Sequence, residues 1–176
     1  MKWTKEQEDL FYRVYTEVFP IIARVTARIT NSREAAEEVC HEAMIRYYHR
    51  LDQIPDENQA KYWLIRVSKN LALNYVKRKK RERKAYERLL KEPVRDQKSG
   101  EDLTIRSETR EEVQQALEKI PEKYRVVLVM KEYGDLSYRE IGEVLGLSEG
   151  NVKVRAFRGR EKLAEVLKRG GSGYGA

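Results

Sequence analysis

The stretch Leu136–Leu163, LSYREIGEVLGLSEGNVKVRAFRGREKL, predicts two short helices joined by a tight turn. Ser137 suits the N-cap of the first helix, and Glu140 three residues later completes a capping box. Gly146 follows the last apolar position of that helix, where a residue with positive φ is needed to end it. Ser148 is then the N-cap of a second helix. The stretch therefore carries signals for a helix start, a turn and a second helix start.

The second helix of this stretch is basic on one side and apolar on the other. Its cations are Lys153, Arg155, Arg158, Arg160 and Lys162. Its inward stripe of apolar or small residues is Val152, Ala156, Gly159 and Leu163. Two docked helices with outward cations are typical of a helix-turn-helix whose second helix enters a DNA major groove. A solvated helical hairpin is the alternative, but two caps, a Gly turn and five cations within ten residues favour DNA binding.

The charge of the chain is unevenly distributed. The 176 residues carry a formal net charge of +7, which suits an anionic partner, either nucleic acid or an acidic membrane surface. Residues 58–95 hold 13 Lys/Arg against 3 Asp/Glu, and residues 151–176 hold 7 against 2. The segments before and between these two blocks are net acidic. Two separated basic blocks predict two contacts on one long polyanion.

Several classes of protein are disfavoured by the sequence. No apolar run approaches the ~18 residues of a membrane span, and the start MKWTKEQEDL has no apolar core of a secretion signal. The single cysteine, Cys40, excludes an internal disulfide and argues against structural zinc. No phosphate-binding Gly-rich loop or nucleophile motif is present, so neither an enzyme nor a cofactor is expected. These features predict a cytoplasmic protein without a membrane span.

Helical periodicity predicts an all-α fold of two small helical domains joined by a flexible linker, the second ending in the helix-turn-helix. The predicted bounds are 1–92 for the first domain, 93–107 for the linker, 108–169 for the second domain and 170–176 for a disordered tail. Pro20 predicts a new or kinked helix. A long helix is expected from Gln59 to about Leu90, with the cationic run KRKKRERK near its end. Residues 126–129 have strand composition, but Pro121 and Gly134 around them favour a helix.

Three segments of the chain resemble bacterial RNA polymerase sigma factors of the extracytoplasmic-function (ECF) group. Arg33–Tyr48, REAAEEVCHEAMIRYY, is similar to the family's helix that docks on the polymerase clamp. Ala60–Arg81, AKYWLIRVSKNLALNYVKRKKR, is similar to the helix that meets the −10 promoter element. The Leu136–Leu163 stretch is similar to the helix-turn-helix that reads the −35 element. The resemblance covers roughly Tyr12 to Leu167, and the order and spacing of the three segments make it specific.

The resemblance implies a sigma factor that binds core RNA polymerase, through the clamp of the large subunit, and directs promoter-specific initiation. It also implies that the protein assists promoter melting. Family members are often held inactive by an anti-sigma factor, which is therefore a further candidate partner. The candidate −35 residues are Tyr138, Arg139, Ser148, Glu149, Asn151, Val152, Lys153, Arg155, Arg158 and Arg160. Of these, Arg158 and Arg160 are expected on phosphates.

The two other surfaces are assigned in the same way. The candidate −10 residues are Asn58, Lys61, Arg66, Lys69, Asn70, Asn74, Lys77 and Arg78. Trp63 shares their helix, but its register with Leu64 and Val67 favours the core over a base contact. The candidate polymerase-binding residues are Glu34, Glu37, Glu38, His41 and Glu42, an acidic face that would repel DNA. The family often has Asp where Ala35 stands and Gln where His41 stands.

Two other functions remain open at the level of sequence. A stand-alone helix-turn-helix transcriptional regulator would need neither the acidic helix nor the −10-like helix, and would usually dimerise on a palindrome. A membrane-surface protein using the cations of residues 77–84 would leave the helix-turn-helix unexplained.

Overall fold

The structure, a computed structural model, describes residues 3–91, 93 and 105–171, and these residues contain helices and no strand. The helices are α1 (Lys5–Thr30), α2 (Arg33–Tyr48), α3 (Glu57–Leu90), α4 (Ile105–Lys119), α5 (Glu122–Glu132), α6 (Tyr138–Leu145) and α7 (Glu149–Gly171). One 3-10 turn, Leu51–Gln53, lies between α2 and α3. The all-α prediction is confirmed, and residues 126–129 are helical, as expected.

The predicted linker and tail fall largely outside the described residues. Of the linker 93–107, the described part is residue 93 and the start of α4 at Ile105. Helix α7 passes the expected end of the second domain at 169 and reaches Gly171, and residues 172–176 lie outside the description.

The first three helices form the N-terminal unit. Helix α1 is continuous from Lys5 to Thr30 with Pro20 inside it, so the prediction that a new helix begins at this proline is wrong. The physical reason lies in the burial pattern: Val18 and Ile22, on either side of the proline, are both fully buried in one stripe. Pro20 itself is exposed. Water can therefore satisfy the carbonyl that its missing N–H leaves unpaired, while the buried stripe holds the helix together.

Helices α4 to α7 form the C-terminal unit, and the predicted helix signals between α6 and α7 are confirmed. The Ser137–Glu140 capping box has both hydrogen bonds, at 3.1 and 2.8 Å. Gly146 ends α6 in the left-handed conformation, with φ at 67°. Ser148 accepts a hydrogen bond from the Asn151 N–H at 3.2 Å. A Cβ on Gly142 would lie 2.6 Å from the Leu147 carbonyl oxygen, so this glycine permits the tight turn.

The two units pack directly against each other. One apolar core contains Val14, Ile22 and Leu64 of the N-terminal unit together with Met130 and Ile141 of the C-terminal unit. At the edge of this core Arg28 donates to the Gln114 side chain at 2.9 Å, and Gln114 donates back to the Arg28 carbonyl at 3.2 Å. A Cβ on Gly134 would lie 3.0 Å from Val25. The sequence predicted two linked units, and their mutual packing is decided by tertiary structure.

Candidate nucleic-acid and polymerase interfaces

The N-terminal turns of α7 form an open polar surface. Glu149, Asn151 and Lys153 are exposed there, and Ser148 and Arg139 are exposed beside them. The Lys153 ammonium lies 2.8 Å from the Glu149 carboxylate, one helical turn away. This hydrogen-bonded ion pair lowers the pKa of Glu149 and raises the pKa of Lys153. Both groups therefore stay charged near neutral pH, with donors and acceptors side by side on the outer face.

The outer face of α7 also carries two apolar residues that the sequence prediction missed. Val154 is 48% exposed and Phe157 is 63% exposed, whereas Val152, predicted to face DNA, is fully buried. Val152 belongs to the inward stripe with Ala156, so it cannot touch a base in this fold. The signal for the missed pair was the same helical register, because residues 154 and 157 fall off the buried stripe. Apolar side chains at such positions can contact the methyl group of thymine.

Two of the predicted phosphate contacts have partners within the protein. Arg160 donates to the Tyr138 hydroxyl at 3.2 Å and to the Glu132 carboxylate at 3.0 Å. The Arg158 guanidinium hydrogen-bonds the Tyr124 hydroxyl and thereby lowers the pKa of Tyr124. Through these contacts the two arginines connect α7 to α5 and α6. Arg155 and Tyr138, also predicted to contact DNA, are half-buried.

The predicted −10 surface lies on α3, and its first cation is enclosed. The Lys61 ammonium lies 3.0 Å from the Glu140 carboxylate of α6 and 3.4 Å from the Glu17 carboxylate of α1. Its side chain is only 16% exposed. Burial lowers the pKa of Lys61, but the hydrogen bonds and charges of the two glutamates outweigh burial and raise it overall. Lys61 is therefore a charged group already neutralised by two partners.

Arg66, one and a half turns further along α3, contacts the other end of α6. Its guanidinium donates to the carbonyl oxygens of Val144 and Glu143, both at 2.8 Å. These carbonyls belong to the last turn of α6, where backbone acceptors have no partner within the helix and the dipole attracts cations. Lys61 at the N-terminal end and Arg66 at the C-terminal end thus hold α6 along α3.

The other predicted −10 residues on α3 are exposed, apart from Lys69. Lys69 is half-buried, and burial lowers its pKa. Asn58, Asn70 and Asn74 are exposed. Farther along, the Lys77 ammonium lies 3.5 Å from Glu122 of α5, and Arg78 lies 3.6 Å from Glu82. Trp63 is half-buried, with its ring 6.4 Å from that of Tyr47, as expected for a residue that packs against the core.

The predicted polymerase-binding residues are all exposed on α2. Glu37 pairs with Arg33 at 3.1 Å and Glu42 pairs with Arg46 at 2.7 Å, both within the helix. Hydrogen bonds from its own backbone and from Ser32 lower the pKa of Glu34. Ile45, which the sequence prediction missed, is 53% exposed and follows His41 by one turn. The surface therefore offers carboxylates around an apolar side chain.

Comparisons with known proteins place the chain in one family. Residues 14–82 match the family Sigma-70 region 2, and residues 110–163 match the family Sigma-70, region 4. The chain is 32% identical over 172 residues to the ECF RNA polymerase sigma factor SigW of Bacillus subtilis (strain 168), covering 93% of this chain and 92% of that protein. The protein is an ECF RNA polymerase sigma factor.

Other relatives and solved structures agree with this family. The ECF RNA polymerase sigma-E factor of Escherichia coli (strain K12) is 28% identical over 150 residues, covering 81% of this chain and 78% of that protein. The fold is similar to the sigma factor RpoE in complex with the anti-sigma factor NepR from Bartonella quintana, with a TM-score of 0.65, 19% identity, and coverage of 90% of this chain and 96% of that one. It is also similar to CnrH in complex with the cytosolic domain of CnrY, with a TM-score of 0.66, 22% identity, and coverage of 90% and 88%.

The family matches coincide with the two structural units. Region 2 spans most of α1, all of α2 and much of α3, and region 4 spans α4 to the middle of α7. As a sigma factor, the protein binds core RNA polymerase and promoter DNA and directs promoter-specific initiation, and it is not an enzyme. In the part of the chain that the structure describes, no His, Cys, Asp and Glu residues cluster as metal ligands. No helix there is long and apolar enough to cross a membrane.

Proposed function

We propose that the exposed N-terminal face of α7 reads the −35 promoter element. The observation that carries this assignment is the combination of Asn151, Lys153 and the apolar pair Val154 and Phe157 on one open face. Lys can donate to guanine O6 and N7, Asn can pair with adenine, and apolar groups can contact thymine methyls. Glu149 can accept from a cytosine amino group, and it also orients Lys153. Arg139 and Ser148 contact the backbone beside this face.

In this proposal the exposed side of α3 binds the −10 element. Asn58, Asn70 and Asn74 contact its bases, and the cations from Lys61 to Arg78 contact its phosphates. Stacking on nearby aromatic rings would hold the bases of a melted strand.

The acidic face of α2, with Ile45 added, docks on the polymerase clamp. These roles place the protein in the cytoplasm, with polymerase and chromosome. An anti-sigma factor is a further proposed partner, because the sigma factor RpoE of similar fold is in complex with the anti-sigma factor NepR.

Replacing Lys153 with Ala tests the −35 assignment. Loss of a base-edge contact typically costs about 1–3 kcal/mol, so the reconstituted holoenzyme should transcribe promoters selected by the wild-type protein at least about fivefold less well. Binding to core polymerase should stay unchanged. Lys162→Ala is the matched control, because it removes the same exposed side chain about 13.5 Å further along α7, away from the N-terminal turns. Equal promoter use by both variants would show that α7 is docked in another register.

Reversing Glu37 and Glu38 to Lys tests the docking surface. Both carboxylates are exposed and face away from the core, so the double variant should fold normally. We expect weaker binding to core polymerase in a competition assay, while binding of the free chain to −35 duplex DNA should not fall. A control reversal at Glu8, which is exposed on α1, should leave core binding intact. If the double variant bound core polymerase as tightly as the wild-type protein does, α2 would not be part of the interface.

A further inference from the structure

The C-terminal end of α3 is exposed and strongly basic. The family match to region 2 ends at residue 82, whereas α3 continues to Leu90. From residue 77 to residue 90 every residue except Glu87 is exposed. Residues 77–84 alone hold seven cations and one glutamate. Because this end of α3 continues the surface proposed to bind the −10 element, it is a candidate for a further phosphate contact.

The cations on this end of α3 divide into a paired side and an unpaired face. Glu82 pairs with Arg78 at 3.6 Å and with Lys79 at 3.5 Å. Glu87 pairs with Arg83 at 3.6 Å. The two glutamates therefore neutralise one side of the helix. Within the described part of the chain, the cations here that have no ion-pair partner are Lys80, Arg81, Lys84 and Arg88.

These four cations form one cationic face. At 3.6 residues per turn they fall within about 100° of arc and over about 12 Å of helix length. Tyr86 and Leu89, which are 54% and 81% exposed, lie on the opposite side. Successive phosphates of one DNA strand are about 3.4 Å apart along the duplex. The length of the cationic face therefore matches about three or four phosphates.

The orientation of the cationic face favours DNA over an anionic membrane. An amphipathic helix that lies on a membrane buries its apolar side in the interface. In α3 that orientation would insert Tyr86, Leu89 and Leu90 and would turn the cationic face toward water, away from the lipid headgroups. A DNA duplex can contact the cationic face directly. The unpaired cations are therefore placed for a nucleic-acid backbone.

The length of the chain directs this face toward the promoter spacer, the duplex between the −10 and −35 elements. The two elements are about 25 base pairs apart, or about 85 Å at 3.4 Å per step. The 15 residue steps from Leu90 to Ile105 span at most about 50–54 Å. From Asn70, assigned to the −10 bases, to Leu90, α3 itself rises about 30 Å. The two lengths together reach the −35 element only when the C-terminal end of α3 points upstream, over the spacer.

We propose that the cationic face at residues 80–88 of α3 binds the phosphate backbone of the promoter spacer. The proposal rests on the assignment of α3 to the −10 element and of α7 to the −35 element. The contact is independent of sequence, because phosphates carry no base identity. It adds affinity between the two base-reading surfaces without changing which promoters are chosen.

The test removes two charges from the cationic face. Lys84→Gln with Arg88→Gln does so while keeping good helix formers at both positions. The matched control is Lys79→Gln with Arg83→Gln, which removes the same two residue types at the same spacing from the paired side. Exposed ion pairs contribute little to stability, so both double variants should unfold at the wild-type temperature.

Salt dependence of promoter binding by the reconstituted holoenzyme is the first measurement. The slope of log affinity against log salt should fall by about 1.8 in K84Q/R88Q, because two phosphate contacts are lost. Between 50 and 200 mM salt, the wild-type holoenzyme should therefore lose about 12-fold more affinity than this variant does. The control K79Q/R83Q should match the wild-type protein. Transcription start sites should be the same for all three.

Neutral DNA linkages locate the contact. Methylphosphonate linkages are introduced in sets of four along the spacer, which removes phosphate charge without changing a base. At one position such a set should lower the wild-type slope by at least about 1.8. The same set should lower the slope of K84Q/R88Q by less, because residues in contact with one partner are not additive. Replacing the spacer sequence should leave the affinity unchanged.

Equal slopes for K84Q/R88Q and its control would overturn the spacer contact. Vesicles that contain phosphatidylserine are the membrane arm of the test. If K84Q/R88Q lost vesicle binding that the wild-type chain shows, and kept the wild-type slope on DNA, the cationic face would belong to an anionic membrane instead.

The proposed function is judged separately, with promoters whose −10 or −35 bases are altered. A wild-type holoenzyme that starts transcription equally well on these promoters would reject the assignments of α3 and α7. Weaker transcription from them, together with equal slopes for K84Q/R88Q and its control, would reject the spacer contact alone.

Discussion

The two surfaces proposed to bind DNA in this sigma factor differ in what their cations contact. On α7, Lys153 pairs with a neighbour on its own helix, and the whole ion pair faces outward. On α3, Lys61 and Arg66 contact a helix of the other structural unit. Both surfaces are rich in Lys and Arg. The difference teaches that composition identifies a nucleic-acid surface, whereas packing decides whether that surface is available.

The largest expected effect concerns the turn that presents α7. Gly142→Ala would place a Cβ 2.6 Å from the Leu147 carbonyl oxygen, a backbone atom that cannot easily move. We expect the free energy of unfolding of the C-terminal unit to fall by about 2–3 kcal/mol, as for overpacked sites. Gly150→Ala is the control, because nothing lies within 4 Å of its Cβ position. Urea denaturation measures both. Equal stability of the two variants would mean that the turn relaxes freely.

A smaller effect should be confined to the N-terminal unit. Tyr47 is fully buried in that unit, and its hydroxyl has no hydrogen-bond partner among the described residues. Tyr47→Phe removes an unsatisfied polar group, so we expect the free energy of unfolding to rise by about 1 kcal/mol. Binding of the free chain to −35 DNA should not change. Loss of stability in this variant would reveal a partner for the hydroxyl.

The same tyrosine should also make stability depend on alkaline pH. Burial first, and then the charge of Glu57, raise the pKa of Tyr47 to about 12. In the unfolded chain this phenol ionises near its ordinary value of 10, so the folded state holds the proton more tightly. Its contribution is therefore complete below pH 10 and is lost as the pH rises toward 12. The stability of Tyr47→Phe should fall less steeply over this range than that of the wild-type protein.

The smallest expected effect is a difference between the two surfaces in how strongly salt weakens the affinity for DNA. Arg139→Ala, at a residue proposed to contact the DNA backbone beside α7, should reduce the slope of log affinity against log salt by about 1 in the free chain and in the holoenzyme. Lys61→Met should reduce it only in the holoenzyme, because in the free chain Glu17 and Glu140 already neutralise Lys61. The loss of one phosphate contact changes affinity by only about 3.5-fold between 50 and 200 mM salt. Binding curves at several salt concentrations measure it. Equal slopes for Lys61→Met and wild-type holoenzyme would remove Lys61 from the DNA contact.

Much of the fold could be predicted from local signals. The capping residues Ser137 and Ser148 were identified correctly because a cap depends on residues three positions apart. The acidic face of α2 and the inward stripe of α7 followed from helical register alone. Pro20 misled the prediction because burial of the continuous stripe around it, a tertiary effect, outweighed a local preference.

By itself, the sequence determined the helices, their amphipathic faces, the helix-turn-helix and the family. Each of these depends on residues within one or two helical turns, so local chemistry suffices to specify them. Only the tertiary structure decided that Lys61 and Arg66 contact α6. The physical reason is that an exposed lysine and a neutralised lysine are the same residue type in the sequence. The neutralised one lies beside a carboxylate or a helix end that is some 80 positions away in the sequence and that the fold brings close, as Glu140 lies beside Lys61.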